Sequence, residues 1–428
     1  MGHSSSDEAI LHSCIKSSLL LDRSPIHCSS SPNYRMLDNL CEELMVEILT
    51  RLPPKSLLQF RSVSKSLHSC IDSPGFIRRH TSRSPQRLAF THLVGHNYIK
   101  EYGDDVFCTL HAEDQLPLRG YIGITAVKFP HRNINIVGSC NGILCLLGCK
   151  DGVISLWNPS IMRQLTLPDC PRRCIYGLGI GFGFDPITDD NKIVSIPING
   201  NGKGESSFVY ALKTGAWRPI VSPMPLYSKS LSRSVYLNGV LHWVVGRCFP
   251  DSEQVEVGYI MTLDLRTHVF GMIALPKPCW ETRRLATIQG SLAVITIVGD
   301  DSWVWVRRDA DDSWSVVLES RANQVGFGVT KVLELSNSGD LLLDDVSDGF
   351  QVYNPKTGVR SLLVDFNDTS SLVNMNMYVE SLHLLHMGTA CEINHLFLQE
   401  KNKKKPNLVT SFKSISENDC LDYLFQYF

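Results

Sequence analysis

The chain has 428 residues, 43% hydrophobic and 20% charged, and its 41 basic and 43 acidic side chains give a net charge of −2. That length has room for two domains or for a motif plus one large domain, and the composition is that of an ordinary globular protein. Near-neutrality excludes bulk attraction to nucleic acid or an anionic membrane, and no apolar run of about eighteen residues exists to span a bilayer.

Residues 1–35 are Ser-rich without periodicity and are expected to form a disordered tail. Met1-Gly2 with Ser6 formally fits a myristoylation pattern, but so short a pattern arises easily by chance. Ile15 to Leu21 is interrupted by Lys16 and two serines, so no secretory signal is expected. Met36, just ahead of the first helix pattern, is a candidate second start. Without an export signal the 14 cysteines are expected to be reduced thiols in a cytosolic or nuclear protein.

Asn39 to His80 carries a compact helical pattern. Leu44, Met45, Ile48, Leu49 and Leu52 recur at steps of three and four and share one helix face, with Glu42 and Glu43 in a first turn whose dipole favours negative charge. Pro53-Pro54 stops that helix. Leu57, Leu58 and Phe60 give a second short helix, and Val63, Leu67, Cys70 and Ile71 a third, closed by the turn residues Asp72-Ser73-Pro74-Gly75. A three-helix piece this small supplies only about 3–5 kcal/mol from its own core, so its remaining apolar surface wants a cover.

The run LxxLPxKSLxxFRxVSK, from Leu49 to Lys65, lies inside a longer match that starts at Leu40 and closes at Ser73-Pro74-x-Phe76. It resembles the F-box, by which substrate receptors of SCF ubiquitin ligases bind a Skp-type adaptor and, through it, a cullin. The resemblance places adaptor contacts at Leu40, Leu44, Ile48, Leu49, Leu52, Pro53, Leu57, Val63 and Leu67. Two positions depart from the family pattern. Cys41 stands where Pro is usual and Leu67 where Trp is usual, and the loss of an aromatic is expected to weaken docking.

From about Arg87 onward, strand runs alternate with Gly, Asn, Asp and Pro turns. Asn141-Gly142, Asn238-Gly239, Gln289-Gly290 and Ser338-Gly339 each open an apolar run, and Asn-Gly between such runs is a strong hairpin signal. Units recur every ~45–50 residues, the spacing of four-stranded propeller blades. Segments such as Gly138 to Cys145, Leu156-Trp-Asn-Pro159, Gly181 to Pro186, Leu237 to Trp243 and Tyr378 to Leu382 resemble the plant F-box-associated domain, often described with kelch-like proteins. The Gly-Gly pair of true kelch repeats is missing. Asn158-Pro159 and Asn354-Pro355 read as tight turns, and Trp157, Trp243, Trp303, Trp305 and Trp314 as blade core.

Catalytic and metal-binding signatures are weak throughout. Gly177, Gly179, Gly181 and Gly183 alternate along a strand rather than opening a helix, so they suggest close approach of another backbone, not a dinucleotide site. Cys140, Cys145, Cys149, Cys170 and Cys174 lack the paired spacing of a zinc site and read as buried apolar side chains. His383 and His386 read as structural. Lys401 and Lys403 to Lys405 form a short basic run, more simply a solvated linker than an import signal.

The expected architecture is α+β. A tail (1–35) precedes a three-helix F-box (36–80), a large all-β propeller-like domain (81–388) and a second tail (389–428). The expected function is a non-catalytic receptor subunit that needs no metal or cofactor, captures an unidentified protein, and works in the cytoplasm or nucleus without binding nucleic acid or membrane. The alternatives are a propeller-type hydrolase or carbohydrate binder, for which Asp185, Asp264 and Asp309 are the loop carboxylates on offer, and an F-box scaffold without degradative output.

Overall fold

The computed structural model describes residues 42–94, 105–112, 134–148, 151–171, 179–196, 206–221, 233–248, 255–276, 282–288, 290–298, 301–308, 312–320, 331–335, 340–345, 349–354, 357, 359–362, 370–387 and 389–390. The expected first tail, residues 391–428 of the second with its basic run, the candidate start Met36, Leu40, Cys41, Cys149, Cys174 and Asp309 lie outside the described residues, whereas Thr389 and Ala390, expected to open the second tail, form a strand paired with Gln164 and Arg163. The chain divides into two compact units, one ending at Leu49 and one beginning at Thr50.

The first unit contributes helix α1 (Glu42–Leu49), with Glu42 and Glu43 in its first turn and Leu49 buried. The second unit begins with three helices. In α2 (Pro54–Arg61) Pro54 occupies the first turn, where a missing N–H costs nothing. In α3 (Lys65–Asp72) the Ser64 hydroxyl accepts the Leu67 N–H at 3.1 Å. In α4 (Pro74–Arg83) Ser73 accepts the Phe76 N–H at 3.2 Å. Ser73-Pro74 therefore starts a helix as well as ending one: Ser is a strong N-cap and Pro is preorganised for the first helical position. Three helices are expected from the sequence, and four are present among the described residues. Arg61 grips Asp72 through two bonds of 2.6 and 2.9 Å, tying α2 to α3. The buried His80 ring donates to Leu52 O at 2.9 Å and Arg83 reaches Thr50 Oγ1 at 3.0 Å, so α4 folds back on the segment before α2.

Everything described beyond α4 is strand and turn. β1 (Gln86–Val94) and β2 (Asp105–Ala112) come first. Next come β3 (Ile134–Cys140), β4 (Ile143–Gly148), β5 (Ile154–Asn158) and β6 (Arg163–Thr166), then β7 (Ile180–Asp185), β8 (Asp190–Ser195), β9 (Ser207–Ala211) and β10 (Ala216–Ile220). They are followed by β11 (Val235–Leu237), β12 (Val240–Cys248), β13 (Val255–Asp264) and β14 (Phe270–Ile273), and by β15 (Thr282–Ile288), β16 (Ser291–Val298), β17 (Asp301–Arg307) and β18 (Trp314–Ser320). The last are β19 (Lys331–Leu335), β20 (Leu341–Asp345), β21 (Gly349–Asn354), β22 (Val359–Leu362), β23 (Ser370–Val379) and β24 (Thr389–Ala390).

Among the described residues these strands make six antiparallel sheets. Four are four-stranded: β7–β10, β11–β14, β15–β18 and β19–β22. A fifth, β3–β6, gains β24 at its outer edge, and the sixth has the order β2-β1-β23. Innermost strands neighbour one another in the series β3, β7, β11, β15, β19, β23, and β23 returns to β3, so the ring closes. The closing sheet joins distant parts of the chain, with Gln86 opposite Val379 and Val94 opposite Ser370.

The blades are built as their turns and side chains dictate. Asn141 (φ 51°) and Gly142 (φ 73°) link β3 to β4, and Asn238 (φ 48°) and Gly239 (φ 85°) link β11 to β12. Two successive positive φ values define the hairpin turn that Asn-Gly favours. On β7 the alternating glycines make room for side chains of the next blade rather than for backbone. A Cβ on Gly181 would strike Trp243 and Leu241, and one on Gly183 would strike Tyr236. Trp157 and Trp243 are fully buried, while Trp303, Trp305 and Trp314 are half-buried. Outer-strand tryptophans also latch blades together: Trp217 donates to Pro168 O at 3.0 Å and Trp314 to Ala274 O at 2.9 Å.

Asn158 does more than shape a turn. It is buried, its Oδ1 accepts the Ser160 N–H at 2.9 Å and the Tyr378 hydroxyl at 3.0 Å, and its amide group reaches Ser381 O at 3.0 Å and His383 O at 2.7 Å. It thus stitches the β3–β6 blade to the segment leaving β23. Asn158→Ala should leave several buried polar groups unpaired and destabilise the chain by on the order of 3 kcal/mol, read as a lower urea midpoint. Asn354→Ala, at the other Asn-Pro pair, removes an exposed bond to Thr357 N–H and should cost about 1 kcal/mol.

Candidate functional site

The helical residues singled out by sequence separate into bare and covered sets. In α1, Leu44 is 47% exposed, Ile48 half-buried and Leu49 buried. In the second unit Val63 is 66% exposed and Pro53 exposed, Leu52 is half-buried, and Leu57 and Leu67 are buried with Ile71 and Phe76. Leu57 and Leu67 therefore hold the helices together, whereas Leu44, Pro53 and Val63 offer apolar surface outward. Val63 follows the end of α2, where the Ser62 N–H donates to Gln59 O and the Val63 N–H to Phe60 O, so the helix stop itself pushes this side chain into solvent.

Of the loop carboxylates on offer for chemistry, Asp185 and Asp264 are the two among the described residues, and both are engaged in structural hydrogen bonds. Asp185 is fully buried and accepts bonds from Ile187 N–H (3.0 Å), the Thr188 hydroxyl (2.6 Å) and Lys192 Nζ (2.8 Å). Burial alone would raise this carboxyl, but those three donors hold it well below the usual carboxylate range. Lys192 also donates to Leu265 O at 2.6 Å, so the ion pair braces the β7–β10 blade against the next one. Asp264 accepts the N–H groups of Arg266 and Thr267, each at 2.8 Å, as a turn former does. Cys140 and Cys145 are buried and burial pushes both thiols up, Cys140 to about 12, so neither is poised as a nucleophile. Among the described residues no group of three His, Cys, Asp or Glu side chains is placed to hold a metal ion, and no helix is long and apolar enough to cross a membrane.

Side-chain pairings that the sequence does not announce join these helices to the ring. Arg78 of α4 pairs with Asp189 in the β7–β8 turn, and Asp72 of α3 lies near His386 in the turn after β23. Separations of 111 and 314 positions leave no local pattern by which to find such pairs. His383, in that same turn, donates its backbone N–H to Ser381 Oγ at 3.3 Å and is held by Asn158 through its carbonyl.

Residues 37–79 match the F-box domain, and residues 99–343 match the F-box associated beta propeller domain. An F-box/kelch-repeat protein of Arabidopsis thaliana is 27% identical over 304 residues, covering 65% of this chain and 79% of that protein. A putative F-box protein of the same plant is 28% identical over 295 residues, covering 66% of this chain and 74% of its own length.

Buried and half-buried histidines set an acid limit on stability. Burial lowers His80, His242, His268 and His383 from the ordinary value of 6.5, His383 to about 4 despite the opposing pull of Asp189. These histidines make the unfolded chain bind more protons than the folded one below pH 6.5, so their contribution to stability falls as the pH drops toward about 4 and is constant above neutrality. Burial raises Asp190, which opposes this at the acid end. Urea midpoints measured across this range should show that slope, and His383→Asn should reduce it.

Proposed function

The chain belongs to the F-box associated β-propeller family and carries an F-box ahead of its ring, and on that premise we propose that it is the substrate-receptor subunit of an SCF-type ubiquitin ligase. The F-box docks on a Skp-type adaptor and through it on a cullin. The ring captures a target protein by its loops. The observation that carries this reading is the bare apolar surface on the F-box helices, with Val63 66% and Leu44 47% exposed while Leu57, Leu67 and Ile71 fill the interior. Large exposed apolar side chains on so small a helical piece are worth most when a partner covers them.

A receptor of this kind needs no catalytic side chain of its own. Holding the target close to a conjugating enzyme converts an encounter in solution into a reaction at high effective concentration. Adaptor binding falls to Leu44, Ile48, Leu52, Pro53 and Val63 directly, with Leu49, Leu57 and Leu67 acting through the fold that presents them. The competing enzymatic reading would draw on Asp185 and Asp264, and both are engaged in turn hydrogen bonds. The cytoplasm and the nucleus are the compartments in which such a receptor works.

Val63→Asp and Leu44→Asp should each lower co-purification of a Skp-type adaptor by roughly tenfold or more with an unchanged thermal midpoint. Leu52→Ala should cost on the order of 2–5 kcal/mol across fold and interface together. Undiminished adaptor capture by the two Asp variants would overturn the assignment.

A further inference from the structure

α3 and α4 meet the ring at two separate places. At the first, Arg78 Nη1 lies 2.8 Å from Asp189 Oδ2 in the turn between β7 and β8. That turn is anchored to its own blade independently, because Lys213 Nζ is 3.6 Å from the same carboxylate oxygen and donates to Thr188 O at 2.7 Å. At the second, His386 Nε2 lies 3.5 Å from Asp72 Oδ2. Asp72 is itself fixed by both bonds from Arg61, with His68 Nδ1 3.2 Å away.

Both turns that reach the helices hold a residue in the left-handed backbone region, Asp189 at φ 53° and Leu384 at φ 70°. A bulky Leu is strained there and stays only where its surroundings over-determine it. The surroundings do so here. Leu382, Leu384 and Leu385 are buried, and Asn158 binds the carbonyls of Ser381 and His383 from the neighbouring blade. The ring thus holds this turn rigidly in the posture that carries His386 to Asp72.

We propose that these two contacts hold α3 and α4 in one orientation on the ring, with Arg78, Asp189, Asp72 and His386 as positioning residues. Each pair is partly exposed and weak alone, but two at separate places restrain rotation as well as displacement. A protein captured on the ring is then presented to the ligase core at a fixed distance and angle, a consequence that rests on the receptor reading above.

Amide hydrogen exchange of the full chain tests this. Asp189→Arg and Arg78→Asp should each speed exchange in α4 and in residues 381–387 by about threefold to tenfold, while β12 and β16 keep wild-type rates. The double reversal R78D/D189R should return α4 to near its wild-type rate, which a purely steric role for either side chain would not do. Unchanged rates in both single variants, or a double variant no slower than the singles, overturns the proposal. Faster exchange in β12 and β16 would mark a variant that has lost its fold. The wild-type chain in about 1 M salt then decides, because screening must speed exchange in α4 and unaltered rates refute the contact. Pull-down of a Skp-type adaptor by the wild-type chain is scored separately. Its failure would sink the receptor reading, while the exchange pattern still judges the orientation.

Discussion

β1 begins three residues after the last helix ends, and it pairs with β23 from the far end of the ring. That pairing is the constraint on which the rest of the structure depends. A row of antiparallel blades leaves an open edge on its first and last sheets, and an open edge is an invitation to pair with another chain. Closing the row with one strand from each end removes it. Closing a loop of nearly three hundred residues is entropically costly only in proportion to the logarithm of its length, and nine paired positions between β1 and β23 return that cost in hydrogen bonds and packing.

The seam is reinforced by polar groups as well as by the ladder. Asn158, Ser160, Tyr378 and Ser381 form a buried network in which each bond satisfies a partner on the far side of the closure. Gly142 permits it, because a Cβ at that hairpin would collide with Ser381 and Val379. Such networks stabilise only when every member is bonded. The same segment then continues into the turn that reaches α3. Ring closure and the mounting of the helices therefore share one short stretch of chain, and disturbance of either is felt by the other.

Charge is used sparingly inside the ring. The buried Asp185–Lys192 pair is favourable because additional donors and Leu265 O satisfy both ends. Apolar clusters also join blades, among them those containing Phe182, Ile193 and Tyr210 and, one blade on, Leu241, Trp243 and Leu263. Asp185 and Asp264, two of the carboxylates that loops offer for chemistry, are tied to structure.

Local signals settled much of this protein. The three- and four-residue spacing from Leu44 to Leu49 marked α1, although the helix ends there and Leu52, expected on the same helix face, lies past the turn. Asn-Gly marked the β3–β4 and β11–β12 hairpins, and the motif from Leu40 to Phe76 marked the F-box, because each is a property of neighbouring residues. Ser73-Pro74 carried a helix-start signal as good as its turn signal, and only the continuing chain chose between them. The helix-facing pairs Arg78–Asp189 and Asp72–His386, the reach of Asn158 to Ser381, and the use of β1 as the partner of β23 were settled by tertiary structure alone. Each joins residues more than a hundred positions apart, and no pattern along a single chain encodes which distant side chains a closed ring will bring within bonding distance.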